Sequence, residues 1–348
     1  MQHRADLRAF RDELKGLAIL WVVFFHAQLG LSGILYEVQK IGYGGVDIFF
    51  FLSGFGLFVS LEKSSGLRGY AVRRAKRLLP AYLPFCCMWL AVMLPMFGLG
   101  TVQSLRTAAG NLTMIGFFAG VPKMINWYVS ALAVSLLVAP FIHACLSHAK
   151  RTGVALLVLL LAAFAVGLCF IGDDRYMAVS RLPVFILGMG FALPGSGKQN
   201  RYAKLTACVA ALAVGLTILL LCFSRYSELL NDYGVYWHPF VLIAPALCIG
   251  LGWLFRKAER ARRLFAPLRW LGRASFEIFL FNCWAEVLLK QSGVAYRPFD
   301  WAVWSAGSIL AGALYHLVVD ACVKRVAACR NDSAQAANGE NRRDWWRG

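Results

Sequence analysis

The chain alternates long apolar runs with short polar or charged segments, a pattern that predicts an all-α, polytopic membrane protein. A helix of about 20 apolar residues can cross the hydrocarbon core of a bilayer. About ten such spans are expected: residues 15–34, 44–61, 79–98, 124–146, 153–172, 177–193, 204–223, 236–255, 274–290 and 300–321. We therefore expect one transmembrane helical bundle over residues 1–321 and a short, basic, disordered tail over residues 322–348.

Lysine and arginine are distributed unevenly between the two sides of the predicted bundle. Most of the 36 fall in the N-terminal leader, in the loops of one side and in the tail. Cytoplasmic loops carry an excess of these residues, and an even number of spans returns the chain to the side where it began, so both termini are predicted to be cytoplasmic. This asymmetry explains the net charge of +18, and nucleic-acid binding is not expected.

Composition argues against an ordinary soluble protein, and the cysteine pattern argues against a metal site or a disulfide framework. With 59% hydrophobic and 16% charged residues, the chain differs from an average soluble protein. Its ten cysteines lie mostly inside apolar runs, where cysteine behaves as a small hydrophobic residue. Since no CxxC or His/Cys pattern with metal-ligand spacing occurs, we expect neither a metal site nor a disulfide framework.

The first apolar run, KGLAILWVVFFHA, carries two ionisable side chains. Lys15 and His26 are eleven residues apart, which places them on one face of a helix and about 16 Å apart along its axis. If Lys15 marks the membrane edge, His26 lies near the middle of the bilayer. Either His26 makes a helix–helix hydrogen bond, or it is a general base that takes a proton from a hydroxyl group.

The second apolar run begins with Asp47, directly after a glycine-rich lead. One interpretation is that this carboxylate caps the helix and compensates the positive end of its dipole. The other is that it orients His26 or supports the charge of the imidazole. Spacing alone does not decide between the two.

The strongest basic cluster follows, in the segment LRGYAVRRAKRLLPAYL, where Arg73 and Arg77 are four residues apart and Arg74 lies beside them. Ordinary positive charge of a cytoplasmic loop explains the cluster without any specific function. Guanidinium groups also bind phosphate in a bidentate manner, so the cluster could hold the phosphates of a nucleotide-like donor such as coenzyme A.

Three further side chains are candidates for contacts with a substrate. Trp127 opens the fourth predicted span and could equally belong to an interfacial aromatic belt. Arg181 lies inside a span next to a proline, where snorkelling or substrate contact is expected. Glu277 lies in the first turn of the ninth span, where compensation of the helix dipole is the simpler reading. Glu286 and Asp320 are interpreted as structural.

These segments together resemble a known family. The chain is similar, from about residue 6 to residue 321, to the acyltransferase 3 family of integral-membrane O-acyltransferases, which modify bacterial surface polysaccharides and related acceptors. The segments that carry the resemblance are KGLAILWVVFFHA, GGVDIFFFLSGF, YAVRRAKRLLPAY, NWYVSAL, RLPVFILGMG and SFEIFLFN, in this order.

The resemblance implies roles for the candidate residues. His26 would be the catalytic base and Asp47 would set its tautomer. Acetyl-CoA would be the donor, engaged from the cytoplasm. The residues implied in donor binding are Lys15, Arg73, Arg74 and Arg77, and those implied in substrate binding are Trp127, Arg181 and Glu277.

The chain departs from the family pattern at two positions. Lys15 stands where the family often has arginine, so the charge is kept but the bidentate fork is not. Asn282 stands where the family often has histidine. Asparagine forms hydrogen bonds but does not exchange a proton, and His26 is therefore the one base we expect.

The resemblance therefore predicts an O-acyltransferase, most simply an O-acetyltransferase, of the bacterial cytoplasmic membrane. The expected partners are acyl-CoA, a carbohydrate or lipid-linked glycan as acceptor, and membrane lipids; a homo-oligomer is compatible with the sequence. One rival is a transporter or flippase of lipid-linked sugars, with His26, Asp47 and Arg181 along the substrate or proton path. A second rival is a catalytically idle membrane partner or sensor, which Asn282 favours.

Overall fold

The computed structural model describes residues 2–64, 66–194, 201–225, 235–291 and 297–344, and these residues form helices and connecting loops without any strand. Two short 3-10 segments, Val235–Trp237 and Glu259–Phe265, interrupt the series. The α-helices are α1 (Gln2–Ala9), α2 (Arg11–His26), α3 (Gly33–Lys40), α4 (Gly44–Glu62), α5 (Gly66–Phe97), α6 (Thr101–Leu112), α7 (Trp127–His148), α8 (Thr152–Leu168), α9 (Tyr176–Val179), α10 (Leu182–Phe191), α11 (Arg201–Arg225), α12 (Phe240–Lys257), α13 (Ala266–Arg273), α14 (Ser275–Gln291) and α15 (Pro298–Asp344).

Six helical stretches within the described residues are long and apolar enough to cross a membrane, which supports the predicted multi-pass architecture. The predicted number of about ten spans is not confirmed, because the remaining apolar helices are shorter than 18 residues. The six stretches are Gly44–Glu62, Gly66–Phe97, Trp127–His148, Thr206–Phe223, Phe240–Lys257 and Pro298–Cys329.

The first predicted span ends earlier than the apolar pattern suggests. Helix α2 stops at His26, because Ala27 adopts an extended conformation and Gly30 and Gly33 have φ near +60°. These left-handed conformations are favourable for glycine and incompatible with a continuing helix. His26 is therefore the last residue of α2 rather than a residue in the middle of a long span.

Helix α4 lies at the centre of the bundle because small residues let its neighbours approach closely. A Cβ atom at Gly45 would lie 2.6 Å from the carbonyl oxygen of Ala18 on α2. On the opposite side, Gly54 of α4 faces the backbone of Phe185, and Gly188 of α10 faces the backbone of Phe51. Such close backbone contacts are typical of membrane helices. The arrangement holds α2, α4 and α10 in fixed relative positions.

The basic segment before α14 folds back on α2 instead of remaining a free loop. Gly272 of α13 lies against the backbone carbonyl of Asp12. Arg269 donates to Glu13 over 2.8 Å, and Arg273 lies 3.4 Å from Asp12. We refer to this end of the bundle, which carries the N-terminal leader and most of the arginines, as the basic end.

Two helices extend beyond the apolar stretches from which they were predicted. Helix α5 contains 32 residues, so the arginine cluster lies on the same helix as the following span rather than in a loop. Helix α15 continues to Asp344 and includes most of the tail predicted to be disordered. The alanines in this tail have the highest intrinsic helix propensity. Residues 345–348 and parts of the predicted loops 224–236 and 292–300 lie outside the described residues.

Candidate active site

A cavity of about 620 Å³ opens at the basic end of the bundle. Lys15, Arg74 and Arg77 line it, so the structure brings together three of the four residues predicted to bind the donor. Arg73, the fourth, donates to the hydroxyl of Ser64 instead. The six cationic side chains of the wall outnumber the three carboxylates, which gives the cavity a positive potential; they are Arg11, Lys15, Arg74, Arg77, Arg273 and Lys324, against Asp12, Glu277 and Asp320.

Two of these arginines have buried N–H groups without a hydrogen-bond partner among the described residues. They are the Nε atoms of Arg11 and Arg74. The guanidinium of Arg11 is packed against Gly56, and Nη2 of Arg74 donates to Ser60 over 3.0 Å. An unsatisfied buried donor costs about 1–3 kcal/mol, more when the group is charged. An anionic ligand in the cavity would supply the missing acceptors.

Sequence reasoning interpreted Arg11 only as part of the basic leader, although one signal was available. Arg11 precedes Lys15 by four residues, so the two side chains lie on one face of α2. Arg273 and Lys324 reach the cavity from α13 and α15, and nothing in their local sequence indicates this. Only the folding of distant segments against α2 brings them together.

Beyond its charged mouth, the cavity has an apolar interior. Phe49 and Ser53 of α4, Leu132 of α7 and Phe279 of α14 form its walls, together with Tyr128 in the first turn of α7. Tyr128 and Phe279 are in contact, with ring centroids 4.7 Å apart. The cavity can therefore hold a ligand that is anionic at one end and has a long, weakly polar arm at the other.

Glu277 lies in the wall of this cavity and is paired with a histidine that sequence reasoning missed. His316 Nδ1 lies 3.0 Å from Glu277 Oε1. Both side chains line the cavity, His316 from α15. The sequence contains one feature that could have indicated His316, because it is a histidine inside an apolar run, four residues before Asp320. The structure thus places Glu277 beside the predicted donor residues.

His26 pairs with a different carboxylate from the one predicted. Its Nδ1 atom lies 2.7 Å from Oε2 of Glu286, and the other oxygen of that carboxylate accepts a hydrogen bond from Lys290 over 2.6 Å. Glu286 was interpreted as structural, and Asp47 was expected to orient the imidazole. Since α2 ends at His26, the imidazole is level with the later turns of α14, where Glu286 projects toward it.

Asp47 is instead bound to Arg181. Nη1 of Arg181 donates to both carboxylate oxygens, over 3.0 and 3.1 Å, and both side chains are at most 1% exposed. The rings of Trp127, Tyr43 and Trp237 surround the guanidinium, with centroids 5.4–5.9 Å from its carbon. The structure therefore brings Asp47, Trp127 and Arg181 into one buried cluster.

His26 and the basic cavity lie toward opposite ends of α2. Lys15 in the cavity wall and His26 are separated by about 16 Å along the helix axis. On α14, Phe279 of the cavity and Glu286 are seven residues apart, or about 10 Å. The inner part of the cavity thus approaches the His26–Glu286 pair more closely than its charged mouth does.

Comparison with known proteins adds independent information. The chain is 25% identical over 307 residues to the peptidoglycan O-acetyltransferase OatA of Listeria monocytogenes, an alignment that covers 78% of this chain and 48% of OatA. The chain thus spans about half the length of that relative. No solved structure matches it. A family model described as an acyltransferase domain matches residues 9–318, nearly the whole chain. With its multiple apolar helices, the chain is a membrane-embedded member of the Acyl_transf_3 family of acyltransferases.

Proposed function

We propose that this protein is an O-acetyltransferase of the bacterial cytoplasmic membrane that moves an acetyl group from acetyl-CoA to a hydroxyl of a cell-surface carbohydrate or lipid-linked glycan. The observation that carries the proposal is the basic cavity, whose interior is apolar and in whose wall the buried Nε–H groups of Arg11 and Arg74 have no acceptor among the described residues. Membership of the acyltransferase family supports the reaction class. Similarity to a peptidoglycan O-acetyltransferase supports a cell-wall polysaccharide as the acceptor class.

In this proposal the phosphates of acetyl-CoA bind at the mouth of the cavity. Arg11, Arg74 and Arg77 are the natural ligands, because guanidinium N–H groups match phosphate oxygens in geometry and charge. Lysine and arginine are concentrated at this end, which supports a cytoplasmic orientation of the cavity, the side on which acetyl-CoA is made. The flexible arm of the donor follows the apolar walls past Phe279 toward His26.

His26 then acts as the general base. Its Nδ1–H donates to Glu286, so the lone pair for accepting a proton is on Nε2. As Nε2 takes the proton of the acceptor hydroxyl, the hydroxyl oxygen attacks the thioester carbonyl. The carbon–sulfur bond breaks, its electron pair stays on sulfur, and the proton passes from His26 to that sulfur. The products are an acetyl ester and free CoA.

Replacement of Arg74 by alanine is expected to raise the KM for acetyl-CoA by about 10- to 100-fold, since a hydrogen bond to a charged group contributes about 1.5–3 kcal/mol. The KM is measured from the release of CoA by purified protein that has been reconstituted into membranes containing the acceptor. Arg73→Ala is the matched control, because Arg73 is the neighbouring residue and contacts Ser64 outside the cavity wall. Equal KM values for the two variants would contradict the proposed donor site.

Replacement of Glu286 by glutamine tests its role as a positioning residue. Glutamine keeps the size of the side chain but loses the charge that favours the Nδ1–H tautomer of His26. We expect kcat to fall by about 10- to 100-fold, part of the contribution of a well-oriented general base, with the KM for acetyl-CoA unchanged. Glu286→Asp should restore part of the rate because it restores the carboxylate. A rise in KM at unchanged kcat would contradict the assignment.

A further inference from the structure

A second, much smaller cavity lies beside His26, between the end of α2, the C-terminal half of α14 and the start of α15. Its volume is about 10 Å³, close to the lower limit for holding a single water molecule. The side chains that matter for its chemistry are His26, Asn282, Glu286, Trp301, Trp304 and Ser305. A space of this size fits one hydroxyl group.

Asn282 borders this cavity and is 4% exposed. Its Nδ2 donates to the oxygen of Ser308 over 3.3 Å, while the Ser308 hydroxyl donates to the carbonyl of Ser305 over 2.8 Å. Because the hydroxyl proton of Ser308 is donated to Ser305, the Ser308 oxygen can only accept from Asn282. The atom of Asn282 that faces Ser308 is therefore the donor Nδ2, which fixes the orientation of the amide. The amide oxygen Oδ1 is left buried without a hydrogen-bond partner among the described residues.

The cavity therefore borders one buried hydrogen-bond acceptor, Oδ1 of Asn282, that has no donor among the described residues. Nε2 of His26 is a second acceptor nearby, because Nδ1 faces Glu286, and its imidazole is 23% exposed. A buried acceptor without a donor is unfavourable by about 1–3 kcal/mol, so the site favours a ligand that brings O–H groups. One hydroxyl inside the cavity would satisfy Oδ1 of Asn282, and a neighbouring hydroxyl, as on a sugar ring, would reach Nε2 of His26 from its exposed side.

Two indole rings complete the surroundings. Trp301 is 8% exposed and forms part of the wall, whereas Trp304, one turn further along α15, is 41% exposed and lies toward the outside. Sites for small molecules typically combine aromatic walls with a few polar groups that fix orientation. The apolar face of a sugar ring packs well on such rings.

We propose that this cavity is the inner end of the acceptor subsite: one hydroxyl of a sugar residue enters it and donates to Asn282, the adjacent hydroxyl, which is the one to be acetylated, lies at His26, and the ring packs outside the cavity against Trp304. The inference rests on the proposed transferase function and goes beyond it by assigning these residues to the acceptor. It also gives Asn282 a role of its own, where the resemblance alone indicated only the loss of a histidine.

The test uses purified full-length protein in lipid nanodiscs, acetyl-CoA labelled in the acetyl group, and two acceptor preparations from the bacterial envelope. One preparation is the lipid-linked glycan fraction and the other is the polymeric glycan fraction, so the labelled fraction identifies the source of the sugar. Asn282→Ala and Trp304→Ala are each expected to raise the KM for the labelled fraction at least about tenfold, with the KM for acetyl-CoA unchanged.

Phe299→Ala is the matched control, because Phe299 is also an aromatic residue at the start of α15, is 72% exposed and does not border the cavity. An unchanged KM for acetyl-CoA shows that each variant is folded. If Asn282→Ala does not fold by this criterion, the acceptor KM of Trp304→Ala, a variant at a more exposed position, tests the subsite alone. Wild-type values of the acceptor KM in both variants would overturn the subsite while leaving the transferase function intact. Wild-type protein that transfers no label to either fraction would overturn the proposed function itself.

Discussion

His26→Ala is expected to lower the rate of acetyl transfer by about 10²- to 10⁴-fold while the affinity for acetyl-CoA stays at the wild-type value. The expected loss is large because, in the proposed mechanism, one imidazole is the general base. That imidazole is paired with Glu286 and lies about 16 Å from Lys15 along α2. The affinity should be retained because the proposed phosphate ligands lie at the basic end, in the wall of the other cavity.

Transfer of labelled acetyl groups and equilibrium binding of acetyl-CoA, measured on the same preparation, separate these two effects. His148→Ala is a suitable control, since His148 is also the last residue of its helix, α7, and is exposed. It should transfer acetyl groups at the wild-type rate. A His26→Ala protein with wild-type transfer would exclude His26 as the base, and a loss of acetyl-CoA binding would show that His26 acts on the donor site instead.

Arg181→Ala is expected to destabilise the protein by about 3–5 kcal/mol, because it leaves the carboxylate of Asp47 buried without its counter-ion. Both side chains are almost completely inaccessible, and three aromatic rings enclose the guanidinium, so water has little access to the remaining charge. Thermal unfolding of the purified protein in detergent measures the change. The double variant Asp47→Asn, Arg181→Met should recover much of the loss, because no charge is then left unpaired.

Arg175→Ala is the matched control for this prediction. Arg175 also pairs with an aspartate, Asp173, but both side chains are more than a third exposed. Exposed ion pairs contribute little, so the unfolding temperature should hardly change. If Arg181→Ala were no more destabilising than Arg175→Ala, the buried pair would not hold α4 and α10 together. The pair also means that lost activity in Arg181→Ala does not by itself show a contact with substrate.

Much of the architecture could be predicted from the sequence because it depends on strong, local signals. Apolar runs of 18 or more residues predicted the long helices, since backbone groups inside a bilayer must be satisfied within the helix. The family resemblance, confirmed by the match over residues 9–318, identified the class of enzyme. Of the residues predicted to bind the donor, Lys15, Arg74 and Arg77 lie together in the wall of one cavity, and their binding of a donor stays a prediction.

The parts that could not be predicted depend on which distant segments meet. The carboxylate of Glu286 and the imidazole of His26 are 260 positions apart, and no pattern in either segment indicates that they pair. The end of α2 at His26 depends on the extended backbone at Ala27, which an apolar count does not detect. Arg11 and His316 reach the cavity at the basic end only because α4, α5, α14 and α15 enclose the same space.

In the proposed reaction the donor enters from the cytoplasmic end and the acetyl group leaves near His26. Sealed membrane vesicles of both orientations, supplied with acetyl-CoA labelled in the acetyl group, test it most directly. We expect label in the envelope glycan or lipid fraction only when acetyl-CoA reaches the cytoplasmic face, and none with His26→Ala in either orientation. Transfer from acetyl-CoA supplied only to the outer face, or wild-type membranes that neither transfer label nor release CoA, would contradict the account.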